Sequence, residues 1–529
     1  MASAAVGERR SLLAPDAERW PADPGRPVLH LAQVRKSFGE IEVIRGLDLE
    51  IPTGETTVII GRSGSGKTVL IKLMAGLLRA DTGEVRLFGE DLTTVSDRRL
   101  LALRRRVAVV FQNYALFDSL SVEGNVGFPL RENSRLKEAE VRERVAHLLR
   151  LLDLSDAADK MPSEISGGMR KRVSFARAVV TQPEVVLFDE PTTGLDPVMV
   201  AFVDDMISRT REAFGITSVV ISHDMASVFR LAQHIAVLEG GRIVERGTPD
   251  EIRASGDATV RAFLDAGSAT VDRRPAGATQ IEAPAVEFRE VRKGFGGKEV
   301  LRGVTFSVLP GEITVVIGAS GSGKSVIIKH MMGLLAADSG EALVLGQDVA
   351  ACSEAELRAL RRRIGMVFQQ SALLDFLTVK GNVAFPLAER REMPTKQIEE
   401  TVAALLERLR LSDVADRYPG DLSAGHRKRV ALARALITQP ELMIYDEPTT
   451  GQDPVLMGTV DDMIVEANRD FGITSVVISH DMESTRRIAH QVAMLHEGRI
   501  LAFGPPESLF SSTVPEVAAF VRAGQPSAG

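Results

Sequence analysis

Gly61-Arg62-Ser63-Gly64-Ser65-Gly66-Lys67-Thr68 occurs again, with two changes, as Gly318-Ala319-Ser320-Gly321-Ser322-Gly323-Lys324-Ser325. Each copy fits G-x-x-x-x-G-K-[ST] and follows an apolar β-type run, Val58-Ile59-Ile60 or Val315-Val316-Ile317. The first copy opens a segment with helical apolar spacing (Val69, Leu70, Leu73, Met74, Leu77). In that context the pattern predicts a phosphate cradle. The glycines let backbone N–H groups close around phosphates at a helix N-terminus, and Lys67 or Lys324 adds a point charge. Thr68 and Ser325 supply the hydroxyl for Mg²⁺, a cation that takes few protein ligands and keeps most of its waters.

The repeat extends far beyond the cradle. Gly61 and Gly318, Gln112 and Gln369, Asp189 and Asp446, and His223 and His480 are all 257 positions apart. One offset held over that distance marks a duplicated domain and not a solenoid unit. The expected organisation is a disordered leader over 1–27, a first domain over 28–267, a flexible linker over 268–285 and a second domain over 286–529. With 529 residues the chain is too long for one core. Its net charge of -7 lacks the basic footprint of a nucleic-acid binder. Arg104-Arg105-Arg106 and Arg361-Arg362-Arg363 therefore read as solvated helix faces. No run approaches the ~18 consecutive apolar residues of a membrane span. The single Cys352 excludes an internal disulfide and suits a reducing compartment.

Within each half, short β-branched runs alternate with helical stretches, so a mostly parallel sheet flanked by helices is expected. The start of each half alternates more like antiparallel strands, and the pattern turns helical between Gln112 and about Ala176 and between Gln369 and about Ala433. The fold class is thus α/β: two tandem nucleotide-binding cores, each with an antiparallel β subdomain and an inserted helical subdomain. Val185-Val186-Leu187-Phe188-Asp189-Glu190 and Leu442-Met443-Ile444-Tyr445-Asp446-Glu447 are buried-strand runs ending in two acids. Asp189 or Asp446 can hold Mg²⁺, and Glu190 or Glu447 can polarise an attacking water. His223 and His480 end further apolar runs and are expected at the same sheet edge.

With these motifs in place the sequence resembles an ATP-binding-cassette (ABC) ATPase in both halves. The family's signature loop stands as Ile165-Ser166-Gly167-Gly168-Met169 and as Leu422-Ser423-Ala424-Gly425-His426. Its glutamine loop matches Gln112 and Gln369, which the resemblance adds to the Mg²⁺ ligands, and its D-loop brings in Asp196 and Asp453. Its adenine-stacking aromatic falls on Phe38 and Phe295, with core packing as the alternative. The resemblance implies ATP and Mg²⁺ as cofactors and a head-to-tail sandwich in which each ATP lies between the cradle of one half and the signature of the other. Site one would join Lys67, Asp189, Glu190 and His223 to Ser423 and Gly425; site two would join Lys324, Asp446, Glu447 and His480 to Ser166 and Gly168. Ala424 replaces the first signature glycine, so a Cβ is expected to crowd the backbone there and slow site one.

A finer resemblance is to the ATPase subunit of MCE/Mla-type phospholipid transporters. It rests on Met161-Pro162-Ser163-Glu164-Ile165-Ser166-Gly167-Gly168-Met169 with Arg170 and Arg172, on Ala115-Leu116-Phe117 and Asn125-Val126, and on Gly451-Gln452-Asp453-Pro454. Short tails at Val260-Arg261-Ala262-Phe263-Leu264 and Val517-Ala518-Ala519-Phe520-Val521 resemble that branch's contact tail. Partners implied are integral-membrane permease subunits and MCE-domain substrate-binding proteins, with the chain on the cytoplasmic face of the cell membrane. The apolar surfaces over 115–129 and 372–386 would receive the permease. An importer ATPase for amino acids or another small solute is the alternative. A two-cassette translation factor would need a long charged linker, and a DNA-repair cassette would need zinc sites that one cysteine cannot build.

Overall fold

The structure, a computed structural model, describes residues 26–111, 115–266 and 283–525. Gln112, the leader up to residue 25 and the linker from 268 to 282 lie outside the described residues. The described residues form two compact units, one of residues up to Leu195 with Met199–Leu264 and the other of Asp265–Gln525 with Asp196–Val198.

In the first unit a four-stranded antiparallel sheet has the order Ile41–Ile51, Leu29–Phe38, Thr82–Leu87, Glu90–Asp91. Leu29, Leu31 and Val34 point into the core while their neighbours reach the surface, as expected of a sheet covered on one side. The second sheet runs Arg242–Gly247, His234–Glu239, Thr56–Ile60, Thr217–Ile221, Val185–Asp189, Val107–Val110. Its strands are parallel except for the antiparallel edge strand Arg242–Gly247. Thr56–Ile60, Val185–Asp189 and Thr217–Ile221 are buried along their whole length, because continuous apolar runs suit strands covered on both faces. Helix Lys67–Met74 covers one face, and its Leu70, Ile71, Leu73 and Met74 are fully buried, each worth about 2 kcal/mol.

Register decides where the chemistry falls. Ile59 and Asp189 both pair with Ile221, so the cradle, the acid pair and His223 all leave the sheet at one carboxyl edge. Parallel α/β sheets carry their ligands at that edge. The second unit repeats the design, with the order Ile364–Val367, Leu442–Asp446, Thr474–Ile478, Ile313–Gly318, Gln491–His496, Arg499–Gly504. There Val316 and Asp446 both pair with Ile478.

The expected helical inserts are Val122–Asn133, Glu138–Leu151 and Gly167–Val179 in one unit, and Val379–Arg390, Thr395–Arg408 and Ala424–Leu436 in the other. Fully buried Asn125 and Asn382 pin the segment that precedes each insert. The Asn125 amide donates to the carbonyls of Phe117, Leu120 and Ser121 and accepts from Phe117 N–H at 2.8 Å; Asn382 repeats this with Leu374, Leu377 and Thr378. Two expectations need correcting. Val517, Phe520 and Val521 of the tail helix Pro515–Ala523 are spent in their own unit's core and not kept for a partner. Arg106 is no solvated helix residue: it is buried, forms a two-pronged ion pair with Glu184 (2.7 and 3.1 Å) and lies over the Phe88 ring.

Candidate functional site

The cradle geometry follows from three features of its loop. Gly66 sits in the left-handed region (φ 103°) as the cap of helix Lys67–Met74, and a Cβ there would lie 2.9 Å from Ile44 Cδ1. Gly61 is excluded from substitution by packing, since a Cβ would fall 2.2 Å from the Leu238 carbonyl oxygen. Lys67 Nζ donates to the carbonyls of Gly61 (2.6 Å) and Arg62 (2.9 Å), which draws the loop into a ring. Lys324 does the same with Gly318 (2.7 Å) and Ala319 (3.0 Å). The Ser65 and Ser322 hydroxyls are buried inside these loops without a protein hydrogen-bond partner, a cost that a bound oxyanion would remove. Gly64, Gly321 and Gly323 also take positive φ, and Ser63 and Ser320 stand in the same loops.

Behind the cradle, the Thr68 hydroxyl is hydrogen-bonded to Asp189. Burial, reinforced by the Glu190 charge, raises the Asp189 carboxyl above its ordinary range against the pull of Thr68 and Lys67. Asp446 is raised in the same way, by burial and then by Glu447, against Lys324. Burial lowers Lys324, with Glu447 opposing. One hydroxyl and one buried carboxylate fit a hard divalent cation that keeps its other places for water and phosphate, and such a charge would favour the ionised acid. Ser325 and Asp446 are the equivalent pair.

Glu190 and Glu447 adopt left-handed backbone conformations (φ 52° and 46°) that cost a non-glycine residue about 1–3 kcal/mol. Each is held there by its own N–H, which donates to the carbonyl of the neighbouring strand's last residue, Ile221 at 3.1 Å or Ile478 at 3.0 Å. Burial works to raise the Glu190 carboxyl, but His223, the Thr193 hydroxyl (3.0 Å) and Lys67 outweigh it, and the group stays below its ordinary value. Glu447 is held down likewise by His480, Lys324 and the Thr450 hydroxyl (3.2 Å). His223 Nδ1 lies 3.5 Å from Glu190 and His480 Nδ1 3.6 Å from Glu447. A charged carboxylate beside an imidazole, at the mouth of a phosphate loop, can take a proton from water.

Sequence reasoning missed the polar group that follows each histidine. Asp224, next to His223, caps helix Met225–Leu231 through Ser227 N–H (3.0 Å), and the Ser227 hydroxyl donates to fully buried Asp204 (2.7 Å). Arg230 completes that group at 2.5 Å. Asp481, Ser484, Asp461 and Arg487 repeat it in the second unit. The shared offset of 257 was the only available signal, since Asp204 and Asp461 lie in helices without a motif.

The signature serines cap the helices they open. Ser166 accepts from Met169 N–H (3.2 Å) ahead of Gly167 and Gly168; Ser423 accepts from His426 N–H (3.2 Å) ahead of Ala424 and Gly425. Ala424 is the first residue of its helix, the place that Gly167 takes in the other half. Phe38 and Phe295 are 47% and 45% exposed, which rules out core packing for either ring. Gln369 is exposed, with its carbonyl accepting from Lys428 at 2.6 Å. Asp196 directly precedes helix Pro197–Phe214, and Asp453 caps helix Pro454–Phe471 through Leu456 N–H at 3.1 Å.

Twice in this chain a glycine-rich loop, a strand-ending acid pair and a histidine share the carboxyl edge of a parallel sheet, the constitution of a P-loop nucleotide hydrolase. The family model described as ABC transporter matches residues 44–193 and 301–450, and the chain belongs to that family. The glutathione import ATP-binding protein GsiA of Escherichia coli O157:H7 is 31% identical over 532 residues, an alignment covering 89% of this chain and 85% of that protein. The protein of the same name from Escherichia coli K12 is 30% identical over the same shares. Among solved structures, the dimeric ABC transporter cassette MJ0796 is 30% identical, with 42% of this chain and 98% of that one covered at a TM-score of 0.40. The chain is an ATP-hydrolysing subunit of an ABC transporter, and it uses ATP with Mg²⁺.

Proposed function

We propose that the chain drives an importer for a small solute, with glutathione or a similarly charged peptide-like molecule as the first cargo to test. The observation that carries this reading is the similarity over 89% of the chain, both cassettes included, to proteins named for glutathione import. No helix among the described residues is long and apolar enough to cross a membrane, so the reading needs separate permease subunits, which the chain would meet on the cytoplasmic face. Phe117 (43% exposed) and Phe376 (74% exposed) offer apolar contact for such a partner, whereas Val122, Val126 and Leu130 of the same stretch serve internal packing.

In this reading the loops of residues 61–68 and 318–325 bind the phosphates, Phe38 and Phe295 stack on the base, and Thr68, Asp189, Ser325 and Asp446 hold Mg²⁺, with Gln112 and Gln369 assisting. The ion supplies charge neutralisation at the phosphates. Glu190 and Glu447 take the proton of the attacking water, and His223 and His480 orient the charge that develops. Ser166, Gly167, Gly168 and Asp196 from one half, with Ser423, Ala424, Gly425 and Asp453 from the other, complete the opposite sites. ATP would favour closure because it bonds to both halves, and closing a mostly open pair takes about 5.5 kcal/mol of differential binding.

A second reading, phospholipid transport with MCE-domain partners, is favoured by the sequence resemblances given above, chiefly the residues around the signature with Met169 in place of glutamine. The relatives compared give it no support. Stimulated ATPase of the chain assembled with its permease in nanodiscs separates the two. Stimulation by a solute-binding protein with glutathione or a short peptide supports the importer. Stimulation by a phospholipid-loaded MCE-domain protein alone overturns it.

A further inference from the structure

Lysine is almost never buried without an acidic partner, because desolvating the ammonium costs several kcal/mol. Each half buries one at the same position of the helix that the signature serine opens, and at Lys171 the Glu190 charge favours the ammonium. Lys171 is 8% exposed and Lys428 is 5% exposed. Lys171 Nζ donates to the Thr193 carbonyl at 2.5 Å, and the Thr193 hydroxyl in turn holds the Glu190 carboxylate. Lys428 Nζ donates to the Gln369 carbonyl at 2.6 Å. Burial lowers both ammonium groups to about 8, so each is held charged near neutrality at a cost to the fold.

Each lysine also borders a small cavity built from the same register positions. The first is about 20 Å³, with Val110, Phe175, Phe188 and Met206 around it. The second is about 10 Å³, with Val367, Leu432, Tyr445 and Met463 in the equivalent places.

We propose that Lys171 and Lys428 are positioning residues that tie the signature helix of each half to the hydrolytic loops of the same half, through the segment of Glu190 and through Gln369. The helical insert and the sheet edge then share one bond: displacing either strains the other. The inference rests on the roles proposed above for Glu190, Glu447 and Gln369.

The test uses the full chain with Lys171→Met, Lys428→Met and the corresponding glutamine variants. Methionine keeps the length of the stem and removes the buried charge, so the thermal midpoint should hold or rise. Turnover of ATP should nevertheless fall about tenfold or more, the worth of one charge-assisted hydrogen bond, with KM for ATP little changed. Glutamine, a neutral donor, should recover part of that loss at an unchanged midpoint. Unchanged turnover in both methionine variants overturns the proposal. So does a midpoint that falls in step with activity, or a variant that fails to fold, because either makes the lysine a structural residue. Glu190→Gln and Glu447→Gln run alongside: full activity in those would sink the assignment of the glutamates and leave the lysine result standing by itself.

Discussion

Asp204→Asn should change how the stability of the first unit depends on pH. Asp204 is fully buried on helix Pro197–Phe214 and accepts from the Ser227 hydroxyl and Arg230. Burial, with the Asp224 charge adding, pushes its carboxyl from 3.8 up to about 7 against those two partners. Between these values the folded unit keeps a proton that the unfolded chain has lost. Stability is therefore fully present below the unfolded value and is lost as pH rises through about 7. At about 1.4 kcal/mol per pH unit and per proton, moving from pH 5 to pH 8 removes about 3 kcal/mol. Asparagine accepts the same serine hydroxyl and carries no proton equilibrium. The wild-type minus Asp204→Asn difference should thus shift by about 3 kcal/mol in favour of the variant over that range, some 6–12 °C in midpoint for a unit of this size. Urea unfolding followed by far-ultraviolet circular dichroism at both pH values measures it. A difference that stays flat, or moves the other way, refutes the assignment of a buried, protonated Asp204. Asp461, 3% exposed and raised to about 7 in the same surroundings, provides the replicate in the second unit.

Two further outcomes are expected. Arg106→Ala strands Glu184 in a buried setting and should cost about 3–5 kcal/mol, whereas Arg363→Ala, whose Glu441 partner is 55% exposed, should cost under about 1 kcal/mol; denaturation midpoints compare them. Glu190→Gln together with Glu447→Gln should lower ATPase turnover at least about a hundredfold, the usual worth of a general base. Of the single variants, Glu447→Gln, which leaves site one, should retain less activity than Glu190→Gln; equal residual rates would refute unequal sites.

The sheet and its edge were legible because their causes are local. An unbroken β-branched run must be covered on both faces, a glycine loop must precede a helix, and the register of Ile59, Ile221 and Asp189 then brings the motifs together. What stayed hidden depends on partners far along the chain. Glu190 and Glu447 are strained by bonds to Ile221 and Ile478, more than 30 positions on, and nothing in Asp-Glu-Pro announces a positive φ. The two arginine triplets look alike in sequence, yet the closing residue of one is buried over Phe88 and that of the other is part-exposed. Phe520 reads as a sticky tail residue until the core that absorbs it is seen.

The duplicated halves agree in lysine, acid pair, histidine and buried aspartate, so any functional difference must come from positions where they part. The signature is the clearest. Ser166 accepts one hydrogen bond, from Met169 N–H, and methionine offers its hydroxyl no polar competitor. Ser423 accepts the equivalent bond from His426 N–H, but its hydroxyl also lies 2.8 Å from His426 Nδ1. A hydroxyl has one proton and two acceptor places. With Nδ1 unprotonated, the ring takes that proton; with Nδ1 protonated, the ring fills the second acceptor place. With Nδ1 unprotonated Ser423 must therefore give up that partner before it can donate to a phosphate, which Ser166 need not. This cost falls on the site that Ser423 is proposed to complete, the one with Glu190, and it adds to the crowding expected of the Ala424 methyl group. The expected inequality between the two glutamine variants therefore has two sources, the missing glycine and the imidazole.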